Sequence, residues 1–73
     1  MPEVKHVLLC EGYSYEVDES TFNDIKDLYD WESCMRASGD EYGNEEITLE
    51  IDSTDLPEDL VEIHEKNREE EYL

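Results

Sequence analysis

Cationic residues are scarce in this sequence: 5 Lys plus Arg stand against 23 Asp plus Glu among 73 residues, which gives a formal charge of −18. Without Lys and Arg to neutralise phosphate, the chain is not expected to bind DNA, RNA or an anionic membrane directly. Long apolar runs are missing too, because the longest, residues 7–10, is far shorter than the roughly 20 residues that span a bilayer. We therefore expect a cytoplasmic protein with no membrane association.

Cysteine and histidine are equally rare, with two of each. Cys10 and Cys34 lie far apart without a Cys-x-x-Cys spacing, so the sequence indicates neither a disulfide scaffold nor a zinc knuckle, and we expect reduced, buried thiols. Nothing in the spacing places a cysteine beside His6 or His64, and acid pairs are too abundant to single out a glycosidase pair. The sequence predicts no enzyme, no cofactor and no metal site.

The length allows one small domain, residues 1–73, which would bury only about 60% of the surface that its unfolded chain exposes. High net charge and a mean hydropathy of −0.84 are typical of a disordered chain. The regular placement of the apolar residues favours a folded domain instead, because a disordered chain needs no such pattern.

The first third of the chain has the pattern of a β-hairpin. Residues 4–10 are rich in strand formers with apolar side chains on both faces. Glu11-Gly12 supplies a turn, and Tyr13, Tyr15 and Val17 then alternate with polar residues. We predict two antiparallel strands joined at Gly12.

A helix is predicted next, over about 21–36, with Ser20 or Thr21 as its cap. Because Glu32 would fall within its apolar face, the helix is expected to end, bend or leave the sheet near Trp31. Apolar residues at helical spacing support it: Phe22, Ile25, Leu28 and Tyr29. Alternation of Ile47, Leu49 and Ile51 predicts a strand, and Pro57 predicts the start of a second helix whose end, about 67–73, frays. The expected fold is α+β, a small three-stranded and mainly antiparallel sheet with two helices in the order β-β-α-β-α.

The distribution of charge is the most informative feature of the sequence. No basic residue occurs between Arg36 and Lys66, and eleven acids in this interval are uncompensated: Asp40, Glu41, Glu45, Glu46, Glu50, Asp52, Asp55, Glu58, Asp59, Glu62 and Glu65. Ordinary soluble domains intersperse the two signs, because self-repulsion destabilises the compact state. A function that uses the charge would explain why this cost is tolerated.

The spacing of the acids predicts that function. Strand neighbours on one face are about 6.8 Å apart and residues one helical turn apart about 5.4 Å, which is comparable with the phosphate spacing of duplex DNA. The acidic candidates for partner binding are Asp24, Asp27, Asp30, Glu46, Glu50, Asp52, Asp55, Glu58, Asp59 and Glu62. Trp31 and Tyr42 are candidate aromatic anchors of the same interface. The pattern favours a DNA mimic that competes with nucleic acid for a basic protein.

In size, charge and β-rich α+β pattern, the chain resembles the small acidic inhibitors made by bacteriophages, including DNA mimics that block nucleoid-associated proteins of the HU type, restriction enzymes or CRISPR effectors. The resemblance rests on length and charge and on no motif. It implies a noncatalytic inhibitor acting in the host cytoplasm on a basic bacterial DNA-binding protein. An HU-type dimer is the favoured partner, since it reads phosphate and shape, which carboxylates can copy.

Two alternatives use the same residues differently. The chain could be an antitoxin or regulatory protein that masks a basic toxin or RNA-binding enzyme through an apolar helix face made of Leu60, Val61 and Ile63. It could also be a halophilic domain whose acids serve solubility, although a single alanine, Ala37, is atypical of that class. The oligomeric state, the target and the source stay open.

Overall fold

The computed structural model describes the backbone of residues 2–71 and the side chains of residues 2–70 except that of Trp31. Within this range the chain forms four strands, three α-helices and one turn of 3-10 helix. In chain order they are β1 (Val4–Cys10), β2 (Tyr13–Val17), α1 (Glu19–Lys26), α2 (Trp31–Cys34), β3 (Met35–Gly39), β4 (Glu45–Glu50), the 3-10 helix (Ser53–Asp55) and α3 (Glu58–Glu71).

The predicted hairpin is confirmed. β1 and β2 are antiparallel, and Cys10 pairs with Tyr13 across a two-residue turn. Glu11 and Gly12 have φ values of 51° and 88°. Two positive φ angles in a two-residue loop are the signature of a type I′ turn, whose twist matches that of the flanking strands. Glycine adopts this backbone without a steric penalty, whereas Glu11 does not.

The predicted sheet is wrong in its strand number and its direction. Four strands form a mixed sheet in the order β2-β1-β4-β3. β4, which contains the predicted strand residues Ile47 and Leu49, runs parallel to β1, while β3 is antiparallel to β4. The fourth strand went unpredicted because Met35–Gly39 lacks apolar alternation; it is an edge strand formed by backbone pairing with β4.

The predicted helix over 21–36 is also wrong in its extent. It begins earlier, since the Asp18 carboxylate caps α1 by accepting the backbone N–H of Thr21 at 2.9 Å. It ends at Lys26, and a turn leads to Asp30, whose backbone carbonyl accepts the N–H groups of Ser33 and Cys34 and whose side chain accepts the N–H of Glu32. These bonds start α2 at Trp31, so of the expected interruptions the helix ends, and it does so before Trp31. The described part of the chain therefore has three α-helices in place of the two predicted.

Alternate residues of the strands place the core on one face of the sheet. From β1, Leu8 and Cys10 are fully buried, next to Tyr15 of β2 and Leu49 of β4. Phe22 and Ile25 of α1 and Leu60 of α3 pack against the same cluster. The protein is therefore a two-layer structure in which α1 and α3 cover one sheet face.

The last helix begins next to Pro57, as predicted, and continues to Glu71. Residues 67–71 are helical in the structure, while residues 72–73 lie outside its described part. The fraying of this segment therefore stays a prediction. None of the helices in the part of the chain that the structure describes is both long and apolar enough to cross a bilayer.

Candidate functional site

α3 presents one continuous acidic ridge to solvent. Its inward positions are Leu60, His64 and Asn67, which are spaced four and three residues apart and face the sheet. The opposite side of the helix consists of exposed glutamates at the same four, three and four spacing: Glu58, Glu62, Glu65 and Glu69. We call these four residues the acidic ridge.

The acidic ridge has the dimensions of a short stretch of nucleic acid backbone. At a rise of 1.5 Å per residue, its carboxylates follow at axial steps of about 6.0, 4.5 and 6.0 Å and extend over about 16.5 Å. One strand of duplex DNA carries about five phosphates over that length, at 3.4 Å of axis each. Four carboxylates on a packed helix therefore approximate the charge of one strand.

α1 adds acids to the same layer. Its buried side carries Phe22 and Ile25, and Asp24 and the C-cap residue Asp27 are exposed away from the sheet. The N-terminal turns of α1 and α3 line a common cleft, to which Asp18 and Asp59 contribute. The helical layer thus carries acids on both of its long helices.

The cations of the described residues leave the acidic ridge largely uncompensated. Lys5 and Arg36 lie on the open face of the sheet, by their register with Glu46 and Thr48 of β4, whereas Lys26 lies on α1 and Lys66 on α3. Arg68 contacts Glu11, with 3.5 Å between Nε and Oε2. Across residues 2–70, Trp31 aside, Glu11 is the only carboxylate within 4.0 Å of a Lys, Arg or His nitrogen. The helical layer therefore holds three of the five cations, but it is still strongly acidic, because α3 alone has seven acids against Lys66 and Arg68.

The structure separates the predicted partner-binding residues into several groups. Glu58, Asp59 and Glu62 share α3, while Glu46 and Glu50 lie on the open sheet face, behind the helical layer. Asp24, Asp27 and Asp30 do not form the expected row, because α1 ends before Asp27. Glu65 and Glu69 were missed as site residues, although their spacing from Glu58 and Glu62 was readable in the sequence.

Asp52 and Asp55 have structural partners. Tyr29 donates its hydroxyl hydrogen bond to Asp55 and accepts one from the backbone N–H of Asp52 at 2.8 Å, which ties the segment after α1 to the 3-10 helix. Burial, followed by the bond to Asp55, raises the pKa of Tyr29 to about 12. Asp55 is half-buried, so these two acids hold the fold together at the carboxyl end of β4.

The Tyr29 bonds give a prediction for alkaline pH. Because the folded-state pKa of about 12 lies above the ordinary value, their stabilisation is complete below about pH 10 and is lost as the pH rises towards 12. Tyr29→Phe should lower the free energy of unfolding by about 1–2 kcal/mol at pH 7. Urea titrations at pH 7, 9 and 11 should show a smaller loss at high pH for the variant than for the parent; parallel losses would disprove the linkage.

The candidate anchor Tyr42 lies at the tip of the β3–β4 hairpin and is 78% exposed. Asp40 orders this loop: its Oδ1 accepts the backbone N–H groups of Tyr42 and Asn44, at 2.9 and 3.0 Å. Hydrogen bonding, above all from the Asn44 side chain, holds the pKa of Asp40 below its usual range. The structure therefore presents Tyr42 on an ordered tip. The side chain of the other anchor, Trp31, lies outside the described residues.

A buried polar cluster joins the first hairpin to α3, and no sequence pattern predicted it. His64 is 2% exposed, and its Nδ1 lies 2.6 Å from the hydroxyl of Tyr15. Its Nε2 lies 3.1 Å from Glu11 Oε1 and 3.7 Å from Cys10 Sγ. Asn67 Nδ2 donates to Tyr15 at 3.1 Å. Residues 54 apart in sequence meet here because β1 ends beneath α3.

One direction of donation satisfies the cluster. Asn67 donates to Tyr15, Tyr15 donates to His64 Nδ1, and the Nε2–H of His64 donates to Glu11. The bond from His64 is the first cause that lowers the pKa of Glu11. No buried side-chain nitrogen or oxygen among the described residues lacks a partner. The cluster therefore supports packing of α3, which carries the acidic ridge.

The cluster contains a thiol, an imidazole and a carboxylate, but its burial opposes nucleophilic catalysis. Cys10 is fully buried, and burial raises the pKa of its thiol, with the Glu11 charge as the next cause. A catalytic cysteine needs the thiolate and access to substrate. Sequence reasoning expected a buried thiol here, and the structure confirms its burial while placing it beside His64.

The apolar helix face of the alternative interpretation is not a single patch. Leu60 packs against the core, while Val61 and Ile63, 37% and 50% exposed, project from opposite flanks of α3. At about 100° per residue they are about 160° apart around the helix. They do not form one docking stripe.

Comparison of the chain with protein-family models, with curated proteins and with solved structures finds no significant match.

Proposed function

We propose that this protein is a noncatalytic DNA-mimic inhibitor, of the kind that bacteriophages make, which occupies the DNA-binding surface of a basic bacterial protein. The acidic ridge of α3 is the binding element, with the exposed acids of α1 beside it. By filling the cationic surface, the protein competes with DNA and is itself never a nucleic-acid binder. Its site of action is the bacterial cytoplasm, where such partners work.

The observation that carries this proposal is the excess of acids on the helical layer. The glutamates of the acidic ridge have no cation within 4.0 Å in the described structure, although Lys26, Lys66 and Arg68 lie on the same layer. Such an arrangement is destabilising for the isolated molecule, since like charges repel. Contact with a cationic groove would offset that repulsion.

The chemistry of the ridge favours a partner that reads DNA through phosphates and shape. Carboxylates reproduce phosphate charge, but they do not reproduce the donor and acceptor pattern of base edges in the major groove. An HU-type nucleoid protein, which binds DNA with little sequence preference, is therefore the favoured target. A restriction enzyme or a CRISPR effector with a long basic channel offers the same chemistry.

A competition experiment tests the proposal. A fluorescently labelled duplex is bound to an HU-type dimer, and displacement by this protein is followed by anisotropy at about 50 and 200 mM salt. We expect displacement at low salt and an affinity at least about tenfold weaker at the higher concentration, because the contacts are electrostatic. A restriction enzyme and a CRISPR effector serve as further targets.

Two results would count against the mimic. Failure to displace DNA from any of the three basic targets at low salt would remove the proposed activity. Displacement with an affinity independent of salt would indicate an apolar contact, as the antitoxin interpretation requires, in place of carboxylate pairing.

A further inference from the structure

A second site lies at the junction of the first hairpin with α3, away from the acidic ridge. The ligand atoms there are Cys10 Sγ, Glu11 Oε1 and His64 Nε2, all within 4.8 Å of one another. Two of these side chains are almost completely buried, and Glu11 is 41% exposed. A thiolate, an imidazole and a carboxylate are the ligand types of Zn²⁺.

The distances between these atoms approach those of a metal site. In a tetrahedral zinc centre with Zn–S near 2.3 Å and Zn–N or Zn–O near 2.05 Å, sulfur and nitrogen are about 3.6 Å apart and nitrogen and oxygen about 3.3 Å. The corresponding distances here are 3.7 Å between Cys10 and His64 and 3.1 Å between His64 and Glu11. We propose that Cys10, Glu11 and His64 bind one Zn²⁺ ion.

The surroundings of His64 suit a metal ligand. Metal-binding histidines usually donate their other ring N–H to a hydrogen-bond partner that fixes the ring. Tyr15, 2.6 Å from Nδ1, is that partner, and it is fixed in turn by Asn67. When the metal binds, the imidazole proton of His64 moves from Nε2 to Nδ1, and the Nδ1–H then donates to the Tyr15 hydroxyl. The Tyr15 hydroxyl in turn donates to the amide oxygen of Asn67, whose side-chain amide has rotated.

The backbone at Glu11 supports the same site. Glu11 adopts a φ of 51°, a conformation that asparagine or glycine tolerates better. In this conformation the Glu11 carboxylate contacts His64, a contact that a residue without a carboxylate could not make. Glu11 also borders an open cleft with Asp52, Ser53 and Arg68, from which water can supply the fourth ligand.

Charge balance favours a divalent ion. On binding, Cys10 releases its thiol proton to solvent and forms a Zn–S bond. The Cys10 thiolate and the Glu11 carboxylate then neutralise the two positive charges of Zn²⁺. The surplus of negative charge on the molecule attracts cations to the cleft. The bound ion would link the β1–β2 turn to α3 and thereby fix the helix that carries the acidic ridge. The proposal does not depend on the function of that ridge.

Metal titration of the full chain tests the site, in the presence of excess Mg²⁺ to occupy exposed carboxylates. We expect one Zn²⁺ per chain with a dissociation constant on the order of 1 μM or tighter. Co²⁺ in its place should give a thiolate-to-metal charge-transfer band. Cys10→Ser should abolish the band and weaken Zn²⁺ binding at least about 100-fold, and Glu11→Gln should weaken it about tenfold.

Cys34→Ser is the matched control, because it removes the other thiol, which is only partly buried, and it should bind like the parent. If Cys10→Ser fails to fold, the cobalt spectrum of the parent and the Glu11→Gln variant, changed only at an exposed turn, still decide the matter. Absence of the charge-transfer band from the parent, or equal Zn²⁺ affinity in the parent, Cys10→Ser and Glu11→Gln, would overturn the proposal.

Discussion

Leu8→Ala should remove about 3–5 kcal/mol from the free energy of unfolding, the largest effect we expect of any single substitution. Leu8 has no exposed surface and lies in the central strand β1. On the core face it is flanked by Tyr15 of β2 and Leu49 of β4. Truncation leaves a cavity that the strands cannot close, because both neighbours are held by backbone pairing.

The loss of stability in Leu8→Ala is large relative to the total free energy of unfolding. A chain of this length has a free energy of unfolding of about 4–11 kcal/mol, and its like charges reduce that further at low salt. Chemical denaturation followed by circular dichroism measures the change. Val4→Ala, in the same strand but at a residue 46% exposed, is the control and should cost less than about 1 kcal/mol. Similar losses for the two variants would contradict the assignment of the core.

His64→Ala should have the second largest effect, about 2–4 kcal/mol. The substitution opens a cavity beneath α3 and leaves the Tyr15 hydroxyl without its histidine partner. It also removes the contact by which Glu11, at the turn, holds the helix. Since His64 joins the hairpin to α3, we expect the helix to loosen before the sheet does.

Denaturation in the presence of a chelator measures this effect without a contribution from metal. Tyr15→Phe, which keeps the ring and removes the hydroxyl, isolates the hydrogen bond and should cost about 1–1.5 kcal/mol. Hydrogen exchange of α3 should accelerate more than that of β1 in His64→Ala. A variant that keeps the parent stability would show that the cluster does not hold α3.

The sequence predicted the local elements that carry strong periodicity. Alternating Tyr13, Tyr15 and Val17 identified β2, and Ile47 and Leu49 identified β4, because a half-buried strand shows its two-residue period directly. The α+β class and the helix after Pro57 were predicted for similar reasons. These signals are local and need no knowledge of how the elements pair.

The remaining features depend on contacts between distant residues. β3 is polar and becomes a strand by pairing with β4, so propensity could not reveal it. Leu28 fits the helical spacing but is 68% exposed, because α1 ends at Lys26 and Leu28 lies in the turn before α2. Parallel pairing of β1 with β4 is a topological fact that periodicity does not specify. The Cys10–His64 contact depends on that pairing and on α3 crossing the hairpin.

The acidic site was partly predictable. The excess of acids after Arg36 directed attention to α3, and Glu58, Asp59 and Glu62 do lie on this helix. The row of Asp24, Asp27 and Asp30 failed because it assumed one continuous helix. Glu46 and Glu50 lie on the open sheet face, behind the helical layer. The sequence could not predict this, because strand direction and helix position decide which face a strand residue occupies. Glu65 and Glu69 complete the ridge at a helical spacing from Glu58 and Glu62 that was readable in the sequence.

The most direct test of the mimicry compares two variants with the same change in net charge. One carries Glu→Gln at the four positions of the acidic ridge, and the other carries it at exposed acids off the helical layer, Glu3, Glu16, Glu41 and Glu46. Affinity for the HU-type dimer is measured by displacement of labelled DNA at low salt. The ridge variant should bind about 100-fold more weakly than the parent, and the control within about threefold of it, since each lost pair contributes about 0.7 kcal/mol. Equal affinities of the two variants would contradict the account.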